Sequence, residues 1–192
     1  MLHDDKNAVM LDMVPPGYVT TQVHRQTLIH SKINRGGGLV VIYRDNFKVK
    51  RHPCSVSFKP SSFEVQICNV APGTVSFGLD NIHHPPANSR SVFFDELADL
   101  LSLLNDRVSS DRFVVCDDLN SSLLSQINDD DLLTVLEIHG LEQFVLDPSR
   151  ESQTSSSLPD PVIGVRNSPF ISNVTVCSDF DVLDLRLVKW KL

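Results

Sequence analysis

Apolar residues in this chain fall in short runs broken by proline, glycine and serine, and helical spacing is confined to segments 92–104 and 128–139. Tyr18 to Val23 and Leu39 to Tyr43 carry the β-branched and aromatic residues of strands, and the second run is apolar enough to be buried. Phe47 to Lys50 alternates and carries the lysines that protect an edge strand. Ser62 to Val70 alternates too, with Phe63, Val65 and Ile67 on one face and Glu64, Gln66 and Cys68 on the other. Followed by Ala71-Pro72-Gly73 and the run Thr74 to Ile82, it predicts an antiparallel hairpin. Val92 to Leu104 places Leu97, Leu100, Leu101 and Leu104 on one helical face. Asn88, Ser89 or Ser91 is positioned to cap that helix, with Asp95 and Glu96 near its positive end. A second helix is expected from Asn128 or Asp129, with Leu132, Leu133, Leu136 and His139 on its face and Gly140 as its stop. His139 then sits at a helix C-terminus, where a cation is favoured.

Between the helices, Phe113 to Cys116 has the length and residue types of a buried strand. Later strands are expected at Glu142 to Leu146, Val162 to Val165, Val174 to Cys177 and Leu185 to Trp190, with a serine-rich loop over 147–157. Strands joined through helices predict an α/β or α+β layered fold, and no period repeats along the chain. The length of 192 residues fits one domain, 1–192, with a sizeable core.

Composition narrows the function little. The hydrophobic fraction is 41% and the charged fraction 21%, ordinary for a globular protein. No apolar run is long enough to span a bilayer, so no membrane partner is expected. The polar, acidic start Met1-Leu2-His3-Asp4-Asp5-Lys6 is not a secretory signal. Cys54, Cys68, Cys116 and Cys177 are far apart, without a C-x-x-C pair, and point to a reducing intracellular compartment, nuclear or cytoplasmic. A net charge of -7 argues against a general nucleic-acid coat protein but not against a nuclease, whose metal site needs carboxylates. Basic residues are densest at Arg44, Lys48, Lys50, Arg51 and Lys59, which make either a phosphate-facing rim or a solvated loop.

The candidate chemistry lies directly after the run Phe113 to Cys116, in Asp117-Asp118-Leu119-Asn120. Polar acceptors at the C-terminal rim of a central strand sit where open α/β sheets gather ligands. In an extended chain Asp118 and Asn120 point the same way, so a carboxylate and an amide converge. That pair suits a hydrated divalent cation or an attacking water. A strand ending in a capped turn explains the same residues, because Asp and Asn are common turn residues. His83-His84-Pro85-Pro86 reads as a surface turn, since adjacent strand residues cannot both reach one metal.

Several segments together resemble the endonuclease domain of LINE-type (non-LTR) retrotransposons. That is a branch of the endonuclease/exonuclease/phosphatase superfamily, related to apurinic-site endonucleases and DNase I. The resemblance is carried by Leu2-His3-Asp4-Asp5, Pro15-Pro16-Gly17-Tyr18, Arg35 to Arg44 and Ser62-Phe63-Glu64-Val65. It continues in Pro85-Pro86, Phe94-Asp95-Glu96-Leu97 and Cys116-Asp117-Asp118-Leu119-Asn120, and so spans nearly the whole chain. It implies a DNase I-like two-layer β-sandwich flanked by helices, with the active site at one rim. It also implies Mg²⁺-dependent hydrolysis of a DNA phosphodiester, without a small-molecule cofactor, to nick target DNA for reverse transcription.

Asp118 and Asn120 match the aspartate and asparagine of the family's Gly-Asp-Phe-Asn signature, with Asp117 for its glycine and Leu119 for its phenylalanine. Asp160 stands at the aspartate of a Thr-Leu-Asp-Leu-Val-Ile stretch. Asp184, expected at the metal, matches the aspartate of the terminal Ser-Asp-His. His83 takes the place of the active-site tyrosine of a Tyr-Arg-Pro-Pro run. The departures are as informative. Leu185 replaces the catalytic histidine, and leucine neither accepts a proton nor donates a hydrogen bond. The first strands, with the metal-binding glutamate, are expected before Leu2 and are lacking. Pro159 and Pro161 interrupt a stretch that pairs in a sheet elsewhere in the family. These changes predict an endonuclease domain with weak or no activity; the alternative is a non-catalytic binding or interaction module or a functionless transposon relic. They also predict an open sheet edge through which the chain self-associates.

Overall fold

The computed structural model describes residues 14–24, 38–52, 57–86, 88–104, 112–116, 118–120, 130–151, 156–182 and 185–191. The first segment of the family resemblance, Arg35 to Gly37, Asp117 and Asp184 lie outside the described residues.

Strands β1 (Tyr18–His24) and β2 (Gly38–Arg44) form an antiparallel pair. The central layer is a six-stranded sheet in the order β3-β4-β5-β6-β10-β7. Its members are β3 (Lys48–Arg51), β4 (Glu64–Ala71), β5 (Phe77–His83), β6 (Phe113–Cys116), β7 (Leu141–Gln143) and β10 (Val162–Val165). Hairpin pairing joins β4 to β5, as the alternation around Ala71-Pro72-Gly73 predicts, and β3 is the outer edge. The pair β5–β6 is parallel, from Gly78 opposite Phe113 to Asn81 opposite Cys116. A parallel pair needs a crossover connection, and helix α1 (Arg90–Leu103) lies within it. A third sheet has the order β11-β12-β8-β9, with β11 (Ser172–Val182), β12 (Leu185–Lys191), β8 (Arg150–Glu151) and β9 (Ser156–Ser157). The two short strands fall in the segment expected to be a loop. The fold is therefore mixed α/β, with helices α1 and α2 (Asp130–Ile138) and both parallel and antiparallel pairing.

Both faces of the six-stranded sheet are buried. On one, Ile67, Ile82, Phe113, Val115 and Ile163 pack with Phe93, Leu97, Leu100 and Leu101 of α1 and Leu132 and Leu136 of α2. On the other, Val114 and Val162 pack with Val174, Val176, Val188 and Trp190 of the third sheet. Strand β6 thus has Phe113, Val114 and Val115 all buried, the signature of an interior strand. Strand β4 departs from its alternating pattern for the same reason. Glu64, Gln66 and Cys68 lie on the face opposite Phe63, Val65 and Ile67, yet all three are buried. The pair β1–β2 covers them, with Gln66 Nε2 donating to Thr21 O (3.0 Å) and Gly38 N to Glu64 Oε2 (3.1 Å).

Helix α1 buries the leucines its spacing predicts, with Ser89 at the N-cap position but making no side-chain cap bond. Glu96 does not serve the helix dipole. Its carboxylate accepts from Ser61 N (2.8 Å), Ser61 Oγ (2.7 Å), Ser62 N (2.9 Å) and Ser62 Oγ (2.6 Å), tying α1 to the start of β4. Burial pushes this carboxyl up, but the four bonds outweigh it and hold it below the usual glutamate range. In α2, Leu132 and Leu136 are buried while Leu133 is 48% exposed, so the apolar face is narrower than the spacing suggests. Gly140 ends the helix at φ 66, as expected of a left-handed C-terminal residue. The His139 ring is held below its ordinary pKa by burial, opposite to the cation-favouring influence expected at a helix end.

Candidate active site

The C-terminal ends of the parallel strands β5 and β6 and the start of the antiparallel β10 meet at one rim, since Cys116 pairs with Asn81 on one side and Val162 on the other. His83 and His84 leave β5 there, Asp118-Leu119-Asn120 leave β6, and Asp160 precedes β10. Topology therefore brings Asp118, Asn120, Asp160 and the histidine pair to one place. Asp184 lies outside the described residues.

The chain after β6 does not stay extended. Asn120 N donates to Asp118 Oδ1 (2.8 Å), closing a turn over Leu119, and Asn120 takes a left-handed φ of 48. Asparagine tolerates that conformation better than most residues. The capped-turn reading is thus the one adopted, and the extended geometry that points Asp118 and Asn120 the same way is not. Asn120 Nδ2 instead donates to His84 O (2.8 Å). The same junction is held by His84 N donating to Asp118 O (2.9 Å) and Leu119 N donating to Pro159 O (2.9 Å). Leu119 is fully buried in the helix-side core.

His84 is not on a surface turn. It is 2% exposed, stacks on Phe93 with centroids 4.3 Å apart, and its Nδ1 lies 3.2 Å from Leu119 O. That contact assigns the proton to Nδ1, since a carbonyl only accepts. Among the described residues its buried Nε2 has no hydrogen-bond partner. Burial holds the ring below its ordinary pKa, with His83 and Arg90 adding in the same direction, against the Leu119 bond and Asp118. His83 ends β5 opposite Glu64 and is half-buried.

Asp160 Oδ2 accepts from Ser149 Oγ (2.7 Å), and Ser149 is itself fully buried. Burial raises the Asp160 carboxyl above the usual aspartate range. The charge of Asp118 adds to this, while Ser149 and Arg150 oppose it. Pro159 and Pro161 flank Asp160 without breaking the sheet, because β10 starts only at Val162. Ser149, His84 and Asn81 escape a sequence reading. Only the His-Pro junction of His84 carries any signal, and Ser149 lies in an ordinary loop pattern.

The basic residues Arg44, Lys48, Lys50, Arg51 and Lys59 are exposed. Lys48, Lys50 and Arg51 ride the outer edge strand β3, two strands from the rim, where Arg51 also bonds Gln22 O. They form a solvated edge rather than a wall of the site.

Among the described residues the donor set does not make up a Mg²⁺ centre. Asp118 and Asp160 each have one carboxylate oxygen engaged within the chain. Among the described residues no group of three His, Cys, Asp or Glu side chains converges. That ion demands near-ideal geometry from well-placed oxygens.

No family model and no curated protein matches the chain. Solved structures do. The endonuclease domain of TRAS1, a telomere-specific non-LTR retrotransposon, superposes with a TM-score of 0.70 at 12% identity, over 98% of this chain and 90% of that one. The AP endonuclease LMAP of Leishmania major superposes with a TM-score of 0.62 at 11% identity, over 96% and 73%. The human Nocturnin catalytic domain gives 0.56 at 14%, over 96% and 73%. At such identities the likeness speaks for architecture alone. The chain has the fold of the endonuclease/exonuclease/phosphatase, or DNase I-like, proteins.

Proposed function

We propose that this chain is an endonuclease-type domain of retrotransposon origin in which DNA phosphodiester hydrolysis is weak or absent. One observation carries this reading. At the rim where open sheets place their chemistry, the polar groups are bonded to one another. Asn120 is spent on His84 O, Asp118 on Asn120 N, and Asp160 on Ser149. A hydrolytic site needs a poised base and preorganised charge stabilisation directed at the substrate. Leucine at position 185, where the resembling family has its catalytic histidine, points the same way. Losing one positioned acid–base group lowers rates by about 10²–10⁴-fold.

Supercoiled plasmid incubated with purified protein, with and without Mg²⁺, tests this beside Asp118→Ala. Equal, background-level nicking by both proteins is expected. Relaxation by the wild type that Asp118→Ala abolishes would overturn the reading, and His83→Ala would then show whether His83 acts as a base. A second reading, a non-catalytic binding or interaction module in the nucleus or cytoplasm, is favoured by the same inward-turned rim. Where the partner is DNA, its mark is binding that weakens steeply with salt. Self-association through an open edge belongs to either reading, and a molar mass independent of concentration in light scattering counts against it.

A further inference from the structure

Charge is unevenly spread along this chain. Residues 13 to 63 hold eight of its 17 Lys and Arg but one of its 24 Asp and Glu, Asp45. Folding turns five of those cations into a stripe on one edge of the molecule. Arg44 ends β2, and a tight turn leads on to β3, with Phe47 N donating to Arg44 O (2.9 Å). Lys48, Lys50 and Arg51 follow on β3, the outer strand of the six-stranded sheet. Lys59 precedes β4, and all five side chains are exposed. Lys48 and Lys50 are two positions apart on a strand, so they point to the same side, about 7 Å from each other. Arg51 reaches across to Gln22 O, which ties β1 to β3 and leaves the rest of its guanidinium donors for a ligand.

Guarding a strand edge against pairing takes one or two lysines on the strand itself. It does not account for Arg44 and Lys59 outside β3, nor for the near absence of acids from 13 to 63. The helix layer is the converse, with Asp95 and Asp99 of α1 and Asp131 and Glu137 of α2 all exposed. A polyanion is therefore drawn to the β3 edge and repelled by the helices. At the β2 end of the stripe stands Tyr18, 38% exposed, with the Arg44 guanidinium 5.9 Å from its ring centroid. Cations that track a phosphate backbone beside an open aromatic ring are the two parts of a surface for unpaired nucleotides. In a duplex the bases stack on one another and leave nothing for the Tyr18 ring.

We propose that this edge binds a single-stranded nucleic acid without regard to sequence. Lys48, Lys50, Arg51 and Lys59 meet phosphates along the strand, and a base stacks at the Tyr18–Arg44 pair. The edge lies two strands from the rim, so the inference goes beyond the reading of the rim and stands whether or not the chain hydrolyses DNA.

The test titrates the full chain, in EDTA, into a fluorescein-labelled oligothymidylate of about fifteen nucleotides and reads anisotropy. Four phosphate contacts give a slope of log K against log salt of about −3, or about fifty-fold weaker binding between 50 and 200 mM salt. Lys48→Ala/Lys50→Ala halves that slope, to about −1.5. Arg112→Ala/Arg166→Ala removes equal charge elsewhere and leaves the slope unchanged. Tyr18→Ala weakens binding about tenfold, and Tyr18→Phe does not. All these side chains are exposed, and a thermal melt of each variant confirms that the fold is kept. The proposal is overturned if a blunt duplex of the same length binds as tightly, if the lysine variant keeps the full slope, or if nothing binds at about 50 mM salt. Equal affinity for heparin, with Tyr18→Ala binding the oligothymidylate as the wild type does, would make the edge a general polyanion surface and sink the single-strand assignment.

Discussion

Asn120 offers the sharpest test of how the rim is built, because its backbone and its side chain do separate jobs. The backbone is left-handed, at φ 48, and the side-chain amide donates to His84 O at 2.8 Å. Asn120→Gly keeps the conformation and removes the bond. The net loss of such a bond, with its acceptor left in a part-buried place, costs about 1–2 kcal/mol. Asn120→Ala removes the same bond and also forces a Cβ into the left-handed region, at about 1–2 kcal/mol more. Glycine's greater freedom in the unfolded chain takes back about 0.5–1 kcal/mol of that difference. Alanine should therefore be the less stable variant by about 1 kcal/mol, which for a chain of this size is a Tm gap of about 2–4 °C. Urea unfolding followed by far-UV circular dichroism measures both, with m-values compared to confirm a common unfolded state. Glycine and alanine variants of equal stability would refute the strained-turn account. A glycine variant as stable as the wild type would show that the Asn120–His84 bond contributes nothing.

Glu96→Ala should cost about 2–3 kcal/mol, since Ser62 is buried and loses a charged acceptor at both its amide and its hydroxyl, while exposed Ser61 turns to water; thermal melts read the loss. Because the Glu96 carboxyl is held below the ordinary range, its contribution is complete above the unfolded pKa, near 4.5, and fades as pH falls through the folded value. His84 works in the same sense at a higher pH. Its ring pKa is lowered on folding, so stability is complete above the unfolded value of about 6.5 and falls below it, by at most about 1.4 kcal/mol per pH unit. The urea midpoint should therefore drop between pH 7.5 and 5.5 more in the wild type than in His84→Phe, in which His139 still contributes its own share; parallel curves would remove His84 from the account. Gly164→Val should destabilise by about 1–3 kcal/mol, because even a Cβ there meets the Ile171 side chain and lies 3.1 Å from Phe113 O; a neutral change in chemical unfolding would mean that β10 and β6 have room to part.

Local pattern made the strands and helices legible. The hairpin of β4 and β5, the leucine face of α1, the apolar run of β6 and the Gly140 stop are each written in a few neighbouring residues, and each appears in the fold. What eluded the sequence depends on partners far along the chain. The burial of Glu64 and Gln66 requires β1–β2 to lie across β4, and no alternation within β4 announces that. Leu133 fits the helix period as well as Leu132 does, but the core touches only the latter. At the rim, the residue types Asp118, Asn120 and Asp160 were readable as a group, and topology brings them together. Their orientation was not, because the turn at Asn120 depends on a carbonyl supplied by His84, a residue whose sequence context resembles an exposed His-Pro-Pro turn.

The parallel pair β5–β6 also has a bearing on the order of assembly. Strands β3, β4 and β5 are consecutive in the chain, with β4 and β5 joined by a short loop and β3 joined to β4 through residues 52–63, so half of the central sheet can zip up early. Strands β6, β10 and β7 come from residues 113 to 165 and must be recruited onto that half, after α1 has crossed over, along a seam only four residue pairs long. Loop-closure entropy makes such non-local, parallel docking a slow step. It is also the natural line along which the folded molecule comes apart locally. The rim straddles this seam, with His84 on one side and Asp118 and Asp160 on the other. Partial opening therefore dismantles the constellation while β3, β4 and β5 remain paired, and amide exchange in β6 and β10 should outrun that in β4.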